Sequence, residues 1–328
     1  MRRRTVILLP LAGLAFAALP ALAQPAGRTW RIGFLSPAAS SSSVWAARVE
    51  ALRAGLRELG YAEGKNLVID FRWADGNLER LPGLAAELIA LRPDALVTAT
   101  TPGAMAAKRA TRTIPIVLAS VGDPVFTGIV SSLARPGGNL TGSSLFTVDE
   151  LAKRLELIRD ALPRAKRVAV LVNPTNPLWT ASLKEVERVA RGLKLELERI
   201  EATAPGNLEA AITAAVERRA DALVVAEDSL FTGNAAKLAQ LALQRKLPAI
   251  GHVVFGEAGG LIGNGTNQLV LFRHAAVFVD KILRGAKPAD LPIEQATRFE
   301  LVINLRTAKA LGVSLPKQVL VRADKLIE

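Results

Sequence analysis

The chain contains no cysteine, which excludes a disulfide framework, thiolate metal sites, a cysteine nucleophile and a lipid-bearing cysteine behind a leader. Histidine is almost as scarce, with His252 and His274 the only two. No His-Glu metal spacing, Gly-x-Ser-x-Gly elbow or Gly-Lys-Thr phosphate loop occurs, so neither a metal, a cofactor nor a catalytic set is expected. After residue 23 no apolar run approaches the roughly 20 residues of a membrane-spanning helix. Lys and Arg outnumber Asp and Glu by 42 to 30, but they are scattered through helical segments among acidic residues. That is not the basic stripe with interleaved aromatics that nucleic-acid binding requires.

What is present starts with Arg2-Arg3-Arg4, an uncharged apolar run from Val6 to Leu22, and the small-x-small exit Ala21-Leu22-Ala23. This is the pattern of an export signal cut before Gln24, which places the mature chain in the periplasm. A permanent anchor is the alternative, disfavoured because the run is short and broken by Pro10 and Pro20. Arg3-Arg4-Thr5-Val6 leaves the twin-arginine route open beside the general one. Removing 23 of the 328 residues leaves 305 and, with three arginines gone, lowers the net charge from +12 to +9. That length suits two domains with their own cores.

From Arg31 onward, short β-rich runs alternate with segments of helical period, the pattern of an α/β fold with parallel sheets covered on both faces. The first cycle reads strand Arg31–Leu35, helix Trp45–Leu59 ended by Gly60, strand Asn66–Trp73, helix Leu78–Leu91 stopped by Pro93, strand Ala95–Ala99, helix Pro102–Ala110 and strand Ile114–Ala119. Arg167–Val172, Asp221–Val225 and Leu247–Ile250 then answer Arg31–Leu35, Asp94–Val97 and Ile114–Ile116 in the same order. Two similar Rossmann-like lobes follow. The glycine-rich stretch from Gly137 to Gly142 marks the join.

In such folds ligands bind beyond the carboxyl ends of the strands, where helix amino termini offer free N–H groups. Four loops meet that description. Thr100-Thr101-Pro102-Gly103 suits a helix start that would hold a carboxylate, although Thr101 also fits a plain N-cap. Ser120-Val121-Gly122-Asp123-Pro124 puts Asp123 at the same edge, either to pair with an ammonium group or to form an Asp-Pro turn. In the second lobe the matching loops are Asn173-Pro174-Thr175-Asn176-Pro177 and Glu227-Asp228-Ser229, where turn and cap roles compete with ligand binding. His252 follows Ile250-Gly251 at a strand end within reach of a ligand, whereas His274 falls on a solvated helix face. A lone histidine without an oriented partner is no general base.

Taken in order, several segments resemble one family, the exported substrate-binding proteins of ABC importers, in particular the tryptophan/tyrosine-type group. They are Gly55–Tyr61 with Glu63–Leu67, Ala110–Ile116, Val121–Pro124, Ser132–Asn139 with Thr141-Gly142, Glu257–Gly260, Lys281–Pro288 and Phe299–Asn304. The resemblance covers nearly the whole mature chain. It implies the type I periplasmic-binding fold, two lobes joined by three crossings, with 29–142 plus 264–288 forming one lobe and 143–263 plus 289–328 the other. Helix Leu269–Leu283 would then sit beside the first lobe, and Phe299–Leu311 would return to the second. The family implies no chemical step and no cofactor: a monomeric receptor closes about its ligand at a hinge and is recognised by an inner-membrane permease.

From the loop positions, Thr101 and the N–H groups behind Pro102, with Ser36, would hold a ligand carboxylate, Asp123 or Asp228 would neutralise its ammonium, and Asn173 and Asn176 would close from the second lobe. Thr100, Ser120, Ser229, His252 and Asn264 are further ligand-binding candidates without an assigned role. Where many members carry Tyr-Gly, this chain has Asn264-Gly265, so an aromatic platform is missing. The expected ligand is an amino acid or similar small carboxylate. A sensing subunit of a membrane signalling receptor, or an exported α/β enzyme, are the rival readings.

Overall fold

The computed structural model describes residues 28–328, and the expected leader and its cleavage site lie outside them. The first lobe opens with β1 (Trp30–Ser36), α1 (Ser43–Glu58), β2 (Leu67–Trp73), α2 (Leu81–Ala90), β3 (Ala95–Ala99), α3 (Thr101–Ala110), β4 (Ile116–Gly122) and β5 (Leu140–Leu145). The chain then crosses into α4 (Thr147–Ala161), β6 (Arg167–Val172), α5 (Pro177–Gly192), β7 (Glu196–Glu201), α6 (Leu208–Glu217), β8 (Ala222–Val225), α7 (Ser229–Gly233), α8 (Ala235–Gln244), β9 (Ala249–Gly251), α9 (Val253–Glu257) and β10 (Ile262–Thr266). It returns through α10 (Gln268–Leu283) and β11 (Ile293–Gln295), and ends with β12 (Phe299–Asn304), α11 (Leu305–Leu311), α12 (Lys317–Leu320) and β13 (Lys325–Ile327).

One sheet has the order β11-β5-β4-β3-β1-β2 and the other β13-β12-β10-β9-β8-β6-β7. All pairs are parallel except β10 with β12. The central strands are buried on both faces, which is why runs such as Ala95–Ala99 and Arg167–Val172 are apolar at nearly every position rather than at alternate ones. The order β3-β1-β2 recurs as β8-β6-β7, the repeat expected from sequence. In each sheet the chain reverses its direction of growth beside the first strand, so the loops after neighbouring strands part and leave a crevice.

The crossings run from β5 to α4, from β10 to α10 and from β11 to β12. Helix α10 packs on α1 through Phe272, Ala276 and Val279, as expected, and Phe299–Leu311 joins the second lobe. The boundaries differ from those read in the sequence. Strand β5 stays in the first sheet as far as Leu145, Ile293–Gln295 pairs alongside it, and Asn264–Thr266 belongs to β10 in the second sheet. Gly142 looked like a hinge but serves close packing: its φ is +128°, and a Cβ there would stand 2.3 Å from the Leu118 carbonyl oxygen. Ile-Gly-Asn-Gly-Thr lacks β-branched density, and β11 is only three residues long, so neither signals a strand. Strand β4 starts two residues late because Thr111 Oγ1 accepts the amides of Thr113 and Ile114 and draws them into a turn.

Candidate ligand-binding site

The two lobes meet at the carboxyl ends of their parallel strands and touch on both flanks. Ser42, before α1, lies against Gly233 at the end of α7, with Ser42 Oγ 3.5 Å from where a Gly233 Cβ would stand. On the other flank a Cβ on Gly122 would be 2.8 Å from Leu178 Cδ2 at the start of α5. The cleft is therefore shut, and about 30 Å³ remains in it for a water-sized occupant. A larger concavity of about 1110 Å³ beside α3 is an open surface groove. It contains no buried polar atom lacking a partner, so the cleft is the stronger candidate.

Several groups lining the cleft are donors in want of acceptors. Trp45 Nε1, Thr100 Oγ1 and Thr147 Oγ1 are buried there without a hydrogen-bond partner. They stand near the starts of α1, α3 and α4, whose free N–H groups favour negative charge. Arg48, one turn after Trp45 on α1, is 3 % exposed. Its guanidinium lies 4.6 Å from the Trp45 ring centroid and pairs with no carboxylate among the described residues. Burial pushes its pKa down to about 10, so it remains charged at neutral pH. Across the cleft stand Glu227 and Asp228, at the end of β8. A buried cation without an anion on one side and carboxylates on the other is a site prepared for a ligand with both charges.

Of the twelve residues expected from sequence, Thr100, Thr101, Ser120, Asn176, Asp228 and Ser229 line this cleft. Thr100 rather than Thr101 is the N-cap of α3, and it reaches that place with φ +66°. Thr101 Oγ1 donates to the Gly122 carbonyl at 3.2 Å, and Pro102 sits inside the first turn away from the cleft. Asn176 caps α5 and donates to Asp228 Oδ2 at 2.9 Å. Asp228 caps α7 through Leu230 N at 2.8 Å, and burial raises its pKa despite these bonds.

The other residues have structural work. Ser36 Oγ accepts from Ala38 N, and Asn173 holds the Thr175 turn and donates to Asp228 Oδ1 at 3.3 Å. His252 Nδ1 accepts from Phe255 N to cap α9, and burial drives its pKa down to about 4, leaving it neutral. The Asn264 carbonyl accepts from Arg154, and its side chain contacts Glu300 O. Asp123 does not line the cleft: it has φ +37°, and its Oδ2 accepts from Val148 N at 3.2 Å, in the first turn of α4. Burial raises its pKa to about 6. Asp123→Ala is expected to lower stability by about 0.5–2 kcal/mol, the worth of a helix cap, and to leave affinity within twofold. Denaturation and calorimetry on the same variant check both, and a tenfold loss of affinity would return Asp123 to the site.

Arg48, Trp45, Thr147 and Gln268 were not anticipated. Arg48 did leave a trace, because Trp45, Val49, Leu52 and Leu56 form the buried stripe of α1 and Arg48 lies on it. A charge on an apolar stripe needs a partner or a ligand. Arg154 interrupts the stripe of α4 in the same way.

Arg154, fully buried, ties the crossings together. Its Nη2 reaches the Asn264 carbonyl at 2.8 Å, Glu227 Oε2 at 3.2 Å and Glu150 Oε2 at 3.5 Å. Gln268 bridges the lobes by donating to Glu227 Oε1 at 2.6 Å and accepting from Ser120 Oγ at 3.1 Å. Burial works to raise the Glu227 carboxyl, but His252 first, then Arg154 and Arg48, outweigh burial and hold it below the ordinary glutamate value. Glu150 is pushed the other way, to about 7, by burial and by the nearby Glu227 charge, against Arg154 and the 2.7 Å bond from Thr266 Oγ1.

A folded-state pKa near 7 against an ordinary 4.5 means that Glu150 contributes stability below about 4.5 and loses it as pH rises through 7. Relative to the parent, Glu150→Gln is expected to gain up to roughly 3 kcal/mol between pH 5 and pH 8. Thermal unfolding at the two pH values measures this, and a pH-independent difference would place the titration elsewhere.

Two largely parallel sheets joined by three crossings around a cleft make this a two-lobed binding protein of the type I periplasmic-binding fold. Residues 40–327 match the family model described as ABC transporter substrate binding protein, and the chain belongs to that family, one of binding proteins rather than enzymes. It is similar to a tyrosine-binding protein of Clostridioides difficile, 29% identical over 262 residues, which cover 79% of this chain and 74% of that protein. Among solved structures it resembles a domain from Streptococcus pneumoniae in complex with L-Trp: 26% identity, TM-score 0.83, covering 91% of this chain and 100% of that one. A ligand-free, open substrate-binding protein with adhesive properties from Clostridium difficile is also 26% identical, over 91% of this chain and 99% of that one, but has a TM-score of 0.64. At equal identity the better match is to the ligand-bound form, in accord with the shut cleft.

Proposed function

We propose that this chain is the exported solute receptor of an ABC importer and that it carries a small amino acid to an inner-membrane permease. The observation carrying this reading is Arg48, buried and unpaired in a cleft whose opposite wall holds Glu227 and Asp228. A ligand carboxylate placed at Arg48, with further bonds from Trp45 Nε1, Thr100 Oγ1 and Thr147 Oγ1, would meet the unmet donors. Its ammonium would then face Asp228, whose Oδ2 takes one bond and keeps a free lone pair, and Glu227. Ligand groups that bridge the two walls would favour the closed over the open arrangement, which is the state a permease can distinguish. The relatives said to bind tyrosine and tryptophan support an amino acid as the class.

Mass spectrometry of small molecules released from freshly purified protein, followed by calorimetry and small-angle scattering with the released compound, tests the proposal. An amino acid that binds and shrinks the radius of gyration is the expected result. Release and binding of no amino acid would overturn it. The intact mass of periplasmic material is expected to begin at Gln24.

A further inference from the structure

A second cavity of about 250 Å³ adjoins the closed cleft, between α1 of the first lobe and α9 of the second. The two share Arg48 and Gln268. Its apolar lining is aliphatic, from Val44, Ala47, Val253, Val254 and Leu269, and polar groups including His252 and Glu257 complete the wall. Leu269 remains 44 % exposed, an apolar side chain that the core does not use.

Size decides where a ligand can extend. The closed cleft has room for about 30 Å³, roughly two water-sized occupants by the same kind of measure, which leaves no space for an amino-acid side chain. From a carboxylate at Arg48, the adjoining free volume is the aliphatic cavity. No Phe, Tyr or Trp lines it, the His252 imidazole being its one ring, and the aromatic faces near the cleft are already engaged. Trp45 is covered by Arg48 and meets Phe272 edge-on at 5.9 Å.

Resting on the reading proposed above, we infer that the cavity between α1 and α9 is the side-chain subsite and that the ligand is an aliphatic α-amino acid. Burial of a branched hydrocarbon against these five residues supplies affinity. Their position on facing lobes makes that burial dependent on closure.

Calorimetry with glycine, valine, leucine, isoleucine, tyrosine and tryptophan, on the parent and on Val254→Trp and Ala47→Trp, tests the inference. Ala47 is exposed on α1, so its replacement leaves a folded protein to measure if Val254→Trp fails to fold. At least one of valine, leucine and isoleucine is expected to bind 10-fold or more tighter than glycine, tyrosine and tryptophan. Filling the cavity is expected to weaken that ligand 10-fold or more. Tightest binding of tyrosine, tryptophan or glycine, or an aliphatic ligand insensitive to filling, would overturn the subsite while leaving the receptor function standing. Failure of every amino acid to bind the parent would overturn both.

Discussion

Replacing Arg48 by Met is expected to make the protein more stable and unable to hold its ligand. The two effects share one cause. Arg48 carries its charge at 3 % exposure with no carboxylate in contact, and the drop in its pKa to about 10 reflects the desolvation that the charge suffers. Methionine has similar volume and no charge, so the variant sheds a desolvation cost of roughly 3 kcal/mol and forfeits about 1 kcal/mol of cation–π attraction to Trp45. For lobes of this size the net gain corresponds to a melting temperature higher by roughly 4 to 8 °C. Losing a buried charge partner for the ligand costs about 2–5 kcal/mol, a 30-fold or greater rise in dissociation constant. Arg48→Lys keeps the charge but loses the planar fork, so its affinity is expected to fall between the two. Scanning calorimetry and titration on the same preparations decide the matter. A variant that melts lower and binds as before would make Arg48 a structural residue.

Backbone patterning made the lobes legible, while the site was legible only where loops announce themselves. Thr100-Thr101-Pro102, Asn176-Pro177 and Asp228-Ser229 carry cap and turn chemistry that reads from one sequence, and each does stand at the cleft. Cap chemistry also misled, since Asp123 has the same look and spends its carboxylate on the first turn of α4. Arg48 and Trp45 enter from a helix that runs beneath the loops. Their role depends on which face of α1 meets the other lobe, and that is a tertiary fact. Gln268 takes part because the chain crosses between lobes at that residue. The rule that ligands sit beyond strand ends looks to loops and so passes over residues on helix faces and crossings.

Removing Arg154 is expected to do the most damage of any single change to the charged network. Its guanidinium is fully buried and satisfies two carboxylates, Glu150 and Glu227, together with the carbonyls of Asn264 and Val225. Arg154→Met leaves both carboxylates without their countercharge in a site closed to water, although Gln268 and Thr266 still bond to them, a loss of about 3–5 kcal/mol, or roughly 6 to 20 °C in melting temperature. The sign of the pH dependence follows from the orphaned acids. Without the cation both carboxyl pKa values rise in the folded state, so stability returns as pH falls and the acids take up protons. The deficit relative to the parent is therefore expected to be largest at pH 8 and smaller at pH 5. Adding Glu227→Gln to Arg154→Met should recover part of the loss, because the residues act as one network and their effects do not add. Because Arg154 joins α4 to β10 beside two of the three crossings, its loss is also expected to loosen the hinge. Small-angle scattering would register that as a larger ligand-free radius of gyration. An additive double variant with a pH-independent deficit would show that Arg154 acts by packing alone.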